Sequence, residues 1–411
     1  MQSLQADFIL FTYHACLYSS LIFGGGTKIK MKNFEEIWIF GDGFNRKTGG
    51  PSSLIDIANA LYKSNCKIRF YVPFGACEQF INRPTNGAKI SKFLKFLDVE
   101  RYTHNSSKFF SFKHRVLNKF ASLFAQKIKL SKRKVIVLDS IGLSKELIRQ
   151  MKQQGYKLIR IHNGSCDTFI KYKYKSNDGD KVYTDVMSLY DKLLFQSKKQ
   201  LEEYNLKYFS KVNATGILVI PSVEESELTK KISTKLFHNN LLNIVYIASI
   251  QERKNQHFVK HLSLMLEESK CNHQFHLVGP FVNRKYFEQF FSRSLESITF
   301  YGYRKDYIAF IQQADIIIHL AQHEGIPRAL REAAFLGKPI VAFDVDGISD
   351  IVLDNQNGFL CQFGDLKTFS RNINKLNNYE LRSKLGNNSK AIYEKIMSEK
   401  HYADRLISKI T

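Results

Sequence analysis

Disulfides and structural zinc have little to work with in this chain. Its 411 residues hold six cysteines (Cys16, Cys66, Cys77, Cys166, Cys271 and Cys361), scattered and without a C-x-x-C pair. That spacing argues against both a secreted disulfide framework and a zinc site, and it fits a reducing cytoplasm. A long apolar run is missing as well. Phe8 to Phe23 is interrupted by Thr12, Tyr13, His14 and two serines. It is shorter than the ~20 residues that cross a bilayer, and no basic segment precedes it as in a secretory leader. Acidic residues are scarce, 38 against 61 Lys and Arg, for a formal charge of +23. Such an excess predicts attraction to something anionic: nucleic acid, an acidic membrane surface or phosphorylated substrates. Base-reading modules and aromatic RNA-binding motifs are absent, so no nucleic-acid partner is expected.

What is present reads as globular, with 44% hydrophobic and 24% charged residues. The length exceeds one ordinary core and predicts two domains. Strand-like runs at Ile37–Phe40, Lys67–Val72, Val135–Leu138, Leu158–Ile161, Lys192–Gln196 and Gly216–Ile220 alternate with helical stretches such as Ser53–Ser64 and Ser144–Gln154. A second series follows at Ile244–Ala248, Gln274–Val278, Ile298–Tyr301, Ile316–His319 and Pro339–Phe343. This alternation is the signature of doubly wound parallel sheets. The expected fold class is therefore α/β, with two Rossmann-like halves: residues 31–220 and 221–388, the boundary near Pro221-Ser222, and a polar helical segment at 389–411. Ligands of such sheets bind beyond the carboxyl ends of the strands, so the expected site lies in a cleft between the halves. Met31 is the expected working start, with residues 1–30 a dispensable extension; an ordered N-terminal extension is the other reading.

Residues 101–134 stand apart. They carry ten Lys and Arg residues, no acidic residue, and the interleaved Phe109, Phe110, Phe112, Phe120 and Phe124. Val116, Leu117, Phe120, Leu123, Phe124 and Ile128 fall at helical spacing. A basic amphipathic helix suits an anionic membrane surface; an ordinary helix packed on its own domain would show the same pattern. Salt-sensitive binding to acidic vesicles, without binding to duplex DNA, separates a membrane partner from a nucleic-acid one.

The most informative stretch is H-E-G-I-P-R-A-L-R-E-A-A-F-L-G-K-P-I-V-A, in which seven residues separate Glu324 from Glu332. Pro327 suits the first position of a helix, because its missing N–H would be unpaired there anyway. Gly337-Lys338-Pro339 stops that helix, and Ile340-Val341 reads as the next strand. The amides around Gly325, Ile326 and Pro327, between two carboxylates, could hold a diphosphate, and the carboxylates could hold hydroxyl-rich groups. A nucleotide sugar carries both.

This segment, with Tyr307–Leu320 before it and G-K-P-I-V-A-F-D-V-D-G-I-S-D-I-V and N-G-F-L after it, resembles the retaining glycosyltransferases of family 4, which have the GT-B fold. The likeness runs from Met31 to the C-terminus and is strongest in the second half. It implies two Rossmann-like domains facing each other across a cleft, with a C-terminal helix returning to the N-terminal domain. It also implies transfer of a sugar from a nucleotide-diphosphate donor to a saccharide or lipid-linked acceptor, with retention, in cell-envelope or capsule polysaccharide synthesis.

Site roles follow from the same resemblance. Glu324 is implied to contact the transferred sugar and Glu332 the ribose. In Y-I-A-S-I-Q-E-R-K-N-Q, Lys254 matches the lysine that reaches the diphosphate, while Ser249 stands where arginine is frequent; Arg253 is the candidate replacement. Gly49-Gly50, ahead of a helix expected from Pro51, is similar to the family's glycine-rich loop. His162, in I-R-I-H-N-G, corresponds to a histidine near the donor sugar. Ser222 replaces the asparagine of the interdomain turn, and Tyr303 or Arg304 is placed near the base. No cofactor and no metal are implied, and the letters of Asp344-Val345-Asp346 fall in a loop after a strand. Another enzyme of the same fold, such as a sugar-nucleotide 2-epimerase, is the alternative.

A chain beginning at Met31 is expected to retain full activity. Insolubility or loss of turnover in that shortened protein would overturn the expectation.

Overall fold

The computed structural model describes residues 34–41, 49–64, 66–73, 89–93, 135–140, 143, 145–162, 166, 170, 178–223, 225–230, 235–237, 240–291 and 295–411. The extension at 1–30 and the basic stretch at 101–134 lie outside the described residues.

The alternation of strands and helices yields two parallel sheets. The first contains β1 (Glu36–Phe40), β2 (Ile68–Pro73), β3 (Lys89–Phe93), β4 (Val135–Asp139), β5 (Lys157–His162), β6 (Lys192–Phe195) and β7 (Thr215–Leu218), in the order β3-β2-β1-β4-β5-β6-β7. The second contains β8 (Leu242–Ile247), β9 (His273–Val278), β10 (Ile298–Gly302), β11 (Ile316–His319), β12 (Ile340–Phe343) and β13 (Gly358–Cys361), in the order β10-β9-β8-β11-β12-β13. By contacts the chain divides into one unit of Met1–Phe195, Leu201–Val219 and His401–Thr411, and another of Gln196–Gln200 and Ile220–Lys400.

In the first unit, β1 and β4 are buried along their whole length. Strands covered on both faces need no polar alternation, which is why V-I-V-L reads as an unbroken apolar run. Trp38, Phe40, Val135, Val137 and Leu158 pack on one side of the sheet, and Ile37, Ile39, Ile136, Leu138 and Ile159 on the other. Helices α1 (Gly49–Lys63), α2 (Lys145–Gln153), α3 (Gly179–Met187) and α4 (Lys198–Lys207) intervene between strands.

The second unit adds α5 (Glu225–Leu228), α6 (Phe258–Glu268), α7 (Arg284–Phe291), α8 (Tyr307–Gln313), α9 (Arg328–Phe335), α10 (Leu366–Lys375) and α11 (Tyr379–Ile396). Helix α9 positions the motif, and buried contacts hold it. Leu330, Ala333 and Ala334 enter the core, and the fully buried Arg331 donates from a terminal nitrogen to the Ser222 carbonyl. The Ser222 hydroxyl lies 3.1 Å from the Tyr393 hydroxyl, which donates to Glu225 at 3.1 Å.

The last helix, α12 (Glu399–Ile410), returns to the first unit. Tyr402, Ala403, Leu406, Ile407 and Ile410 recur at helical spacing and join the cluster around Ile37 and Ile39.

Several sequence expectations need correction. Residues 389–411 are not one segment: α11 runs to Ile396, and α12 starts at Glu399. Gly49 and Gly50 do not precede their helix but form its first two residues. Pro327 is the extended residue before α9 (φ −61°, ψ 129°) rather than its first helical residue. Strands β3 and β13 went unread. β3, K-I-S-K-F, is an edge strand with two lysines, a composition that hides a strand from any apolar count. β13, also an edge strand, opens on Gly358, where a Cβ would lie 2.0 Å from the Ile340 carbonyl oxygen. Pairing with β12 requires glycine there, and glycine is a weak strand signal.

Because Leu406 is fully buried in the first unit's core, Leu406→Ala is expected to destabilise that unit by about 2–5 kcal/mol. Denaturant melts of wild type and variant measure it, and an unchanged midpoint would show that α12 is not needed for the core.

Candidate active site

In the second unit the carboxyl ends of β8, β11 and β12 gather the motif residues. After β8 the chain makes a short 3-10 turn at Glu252–Lys254, followed by Asn255 in the left-handed region (φ 51°). The turn is tied down from several sides. The Tyr246 hydroxyl donates to the Lys254 carbonyl (2.7 Å), the Asn255 amide group to the Leu320 carbonyl (2.9 Å), and the Gln322 N–H to the Arg253 carbonyl (3.1 Å). These bonds hold Arg253 and Lys254 against the segment that carries Glu324.

Glu324 is thereby surrounded by donors. Its Oε1 is ion-paired with Lys254 Nζ and lies 3.4 Å from a terminal nitrogen of Arg253. Lys254 is only 8% exposed. Burial, and then the neighbouring Arg253 guanidinium, push its amine well below the usual lysine range. Glu324 is the carboxylate paired with this amine. His319 Nε2 is 3.7 Å from the same oxygen. Burial first, then Lys254 and Arg253, hold His319 far below the ordinary histidine range, so the ring is neutral and the contact is not an ion pair. Neither of its ring nitrogens has a hydrogen-bond partner among the described residues.

Two further features set this constellation. The backbone N–H of Glu324 donates to Asp346 Oδ2 at 2.7 Å. Burial raises the Asp346 carboxyl, opposed by His323 and Lys199. The amides of Gly325 and Ile326, both buried, make no hydrogen bond within the described residues. They lie just ahead of the α9 N-terminus, where an anion is favoured.

Glu332 is placed differently from a plain open acceptor. It is 1% exposed; its Oε1 accepts from the Tyr307 hydroxyl at 2.7 Å, and Arg328 Nε lies 3.2 Å away. Tyr303 is 43% exposed beyond β10, whereas Arg304 is committed to a two-pronged pair with Asp306 (2.8 and 2.7 Å). At Ser249 there is no cation: its hydroxyl accepts from the Gln251 side chain and its carbonyl from Gln256. Arg253 is the second positive charge at Glu324.

Gly49, Gly50 and His162 belong to the first unit. His162 is 1% exposed, stacked on Phe195 (4.8 Å) and 3.4 Å from the Tyr183 hydroxyl, which also meets Cys166 Sγ at 3.2 Å. The structure gives it an aromatic core environment rather than an accessible face.

Thus Lys254, Arg253 and Glu324 come together beside Gly325, Ile326 and Pro327. Sequence reasoning missed His319, Asp346, Tyr307 and Arg328. A histidine closing an apolar strand and an aspartate in a loop carry no periodic signal; only the D-V-D letters marked Asp346.

Comparison with known proteins places this geometry. Residues 213–392 match the model of the family described as glycosyl transferases group 1. The chain is 27% identical over 178 residues to a putative glycosyltransferase, EpsD, of Bacillus subtilis (strain 168), covering 43% of this chain and 46% of that protein. It is 23% identical over 222 residues to the poly(ribitol-phosphate) alpha-N-acetylglucosaminyltransferase of Staphylococcus aureus (strain COL), covering 49% of this chain and 44% of that protein. The chain thus spans under half the length of these relatives. Among solved structures, Anabaena HepE in complex with UDP and glucose superposes with a TM-score of 0.70 at 13% identity, over 92% of this chain and 99% of that one. TarM gives a TM-score of 0.72 at 12% identity, over 93% and 100%. Likeness at such identity is one of fold, and the fold is that of the GT-B proteins. The stretch matched by the glycosyl transferases group 1 model holds Lys254, Glu324 and Glu332.

Proposed function

We propose that the protein is a retaining glycosyltransferase. It moves a sugar from a nucleotide-diphosphate sugar to a saccharide or lipid-linked acceptor in cell-envelope or capsule polysaccharide assembly. The observation that carries this reading is the buried Lys254, paired with Glu324 in front of the α9 N-terminus. Relatives named as a capsular polysaccharide biosynthesis glycosyltransferase, CapM of Staphylococcus aureus, and as an N-acetyl-alpha-D-glucosaminyl L-malate synthase of Bacillus anthracis support it.

In this mechanism the diphosphate lies against Lys254, Arg253 and the amides of Gly325 and Ile326. Breaking the glycosidic bond places negative charge on the leaving phosphate, and these groups stabilise it where it develops. Glu324, released from its cations by the incoming diphosphate, turns to the sugar hydroxyls; Glu332 serves the ribose. No side chain acts as a covalent nucleophile. The acceptor attacks from the side of the departing phosphate, which takes its proton. Pro327 sets the entry of the helix, and Tyr303 flanks the base. The enzyme works without a metal; the half-buried Asp346 of the D-V-D letters accepts from the Glu324 amide. The protein resides in the cytoplasm, with residues 101–134 meeting the anionic inner face of the membrane.

Lys254→Ala is expected to lower turnover about 10²–10³-fold, the usual cost of removing one preorganised donor from a developing anion. Glu324→Gln is also expected to lower turnover, yet to bind the free nucleoside diphosphate about tenfold more tightly, because an internal competitor for Lys254 and Arg253 is gone. Calorimetry with UDP, GDP and ADP reads the second effect, and a weaker nucleotide affinity in Glu324→Gln would contradict it. An untouched rate in Lys254→Ala would move the diphosphate elsewhere.

Turnover is expected to persist in excess chelator; a loss restored by magnesium or manganese would refute the metal-free mechanism. A nucleotide sugar incubated without acceptor is expected to hydrolyse slowly, whereas an epimerase would convert it.

A further inference from the structure

Three residues after β12, the backbone adopts a conformation that side chains normally avoid. Asp346 has φ 43°, in the left-handed region. The next residue is forced in a different way: a Cβ on Gly347 would stand 2.7 Å from the Gly325 carbonyl oxygen and 2.5 Å from Ser197 Cβ. The loop is therefore pressed directly onto the residue that follows Glu324. From this approach Asp346 reaches the Glu324 N–H at 2.7 Å, and its Oδ2 lies 3.8 Å from His323 Nδ1. Its side chain is 19% exposed. A glycine at position 346 would satisfy the backbone more easily, while the contact with His323 would go with the carboxylate. What it could not supply is an acceptor for the Glu324 amide.

We infer that Asp346 is a positioning residue for the proposed sugar transfer: its carboxylate fixes the backbone of Glu324 and so aims the Glu324 side chain at the donor sugar. The inference rests on the proposed role of Glu324. In this role Asp346 acts through one hydrogen bond to the main chain. Aspartate and asparagine are the residue types that combine tolerance of the left-handed region with a short acceptor. The identity of this residue is thereby explained by two demands at once.

The test compares Asp346→Asn with Asp346→Gly in the full chain. Asparagine keeps both the tolerance and an acceptor oxygen, so kcat is expected within about threefold of wild type. Glycine keeps only the backbone tolerance, and kcat is expected to fall about 10- to 100-fold, the cost of a loosened catalytic geometry. The affinity of Asp346→Gly for free UDP, GDP or ADP is expected to stay unchanged, and its melting temperature within about 3 °C. A second readout does not depend on activity. Amide exchange in the peptide containing Glu324 is expected to accelerate in Asp346→Gly and not in Asp346→Asn.

Equal exchange in the two variants overturns the inference. So does a wild-type kcat in Asp346→Gly, an asparagine variant as impaired as the glycine one, or a glycine variant that melts far lower and has merely lost stability. A wild type that transfers no sugar from any donor while the exchange difference persists sinks the proposed function and leaves the anchoring intact.

Discussion

The buried Lys254 is paired with Glu324, and burial by itself drives a lysine amine toward its neutral form. Taking both groups out of water costs several kcal/mol per ion, repaid only when the geometry is good. The surroundings of the pair read as the means of securing that geometry. Tyr246 and Asn255 pin the turn that carries Lys254, and Asp346 pins the backbone of Glu324. His319 is kept neutral beside them, so it adds no second positive charge to a crowded spot. Removing Glu324 would take the carboxylate from the buried Lys254, whereas Glu324 without Lys254 would keep the Arg253 guanidinium at 3.4 Å.

Much of the fold was legible because parallel sheets buried on both faces produce unmistakable runs. Ile37–Phe40, Val135–Leu138 and Ile316–His319 were found within a residue of their observed limits. The unread strands lie at sheet edges, where burial is not two-sided and the chain can carry lysine or glycine. Helix beginnings were harder. Gly49, Gly50 and Pro327 were each assigned one side of a boundary and found on the other, because local preference for a turn and for a first helical turn is nearly the same at these residues.

Within the site, sequence supplied the residue types but not their partners. Lys254 and Glu324 were both read as ligands of the donor, one for phosphate and one for sugar, and nothing in their spacing said that they face each other. That fact depends on β8 and β11 being neighbours in the sheet. His162 shows the same limit in reverse. Its strand-end position suggested contact with a ligand, yet the ring stacks on Phe195 in the core, a choice made by which side of β5 it falls on.

Glu332 has a consequence of its own. Its Oε1 is already occupied by a phenol hydroxyl from Tyr307, with the Arg328 guanidinium close by. Under the ribose role, a nucleoside reaching this carboxylate exchanges one hydroxyl for another, so the anion is never left bare in the interior. Under that role Tyr307 would stand in for the ribose alcohol at Glu332.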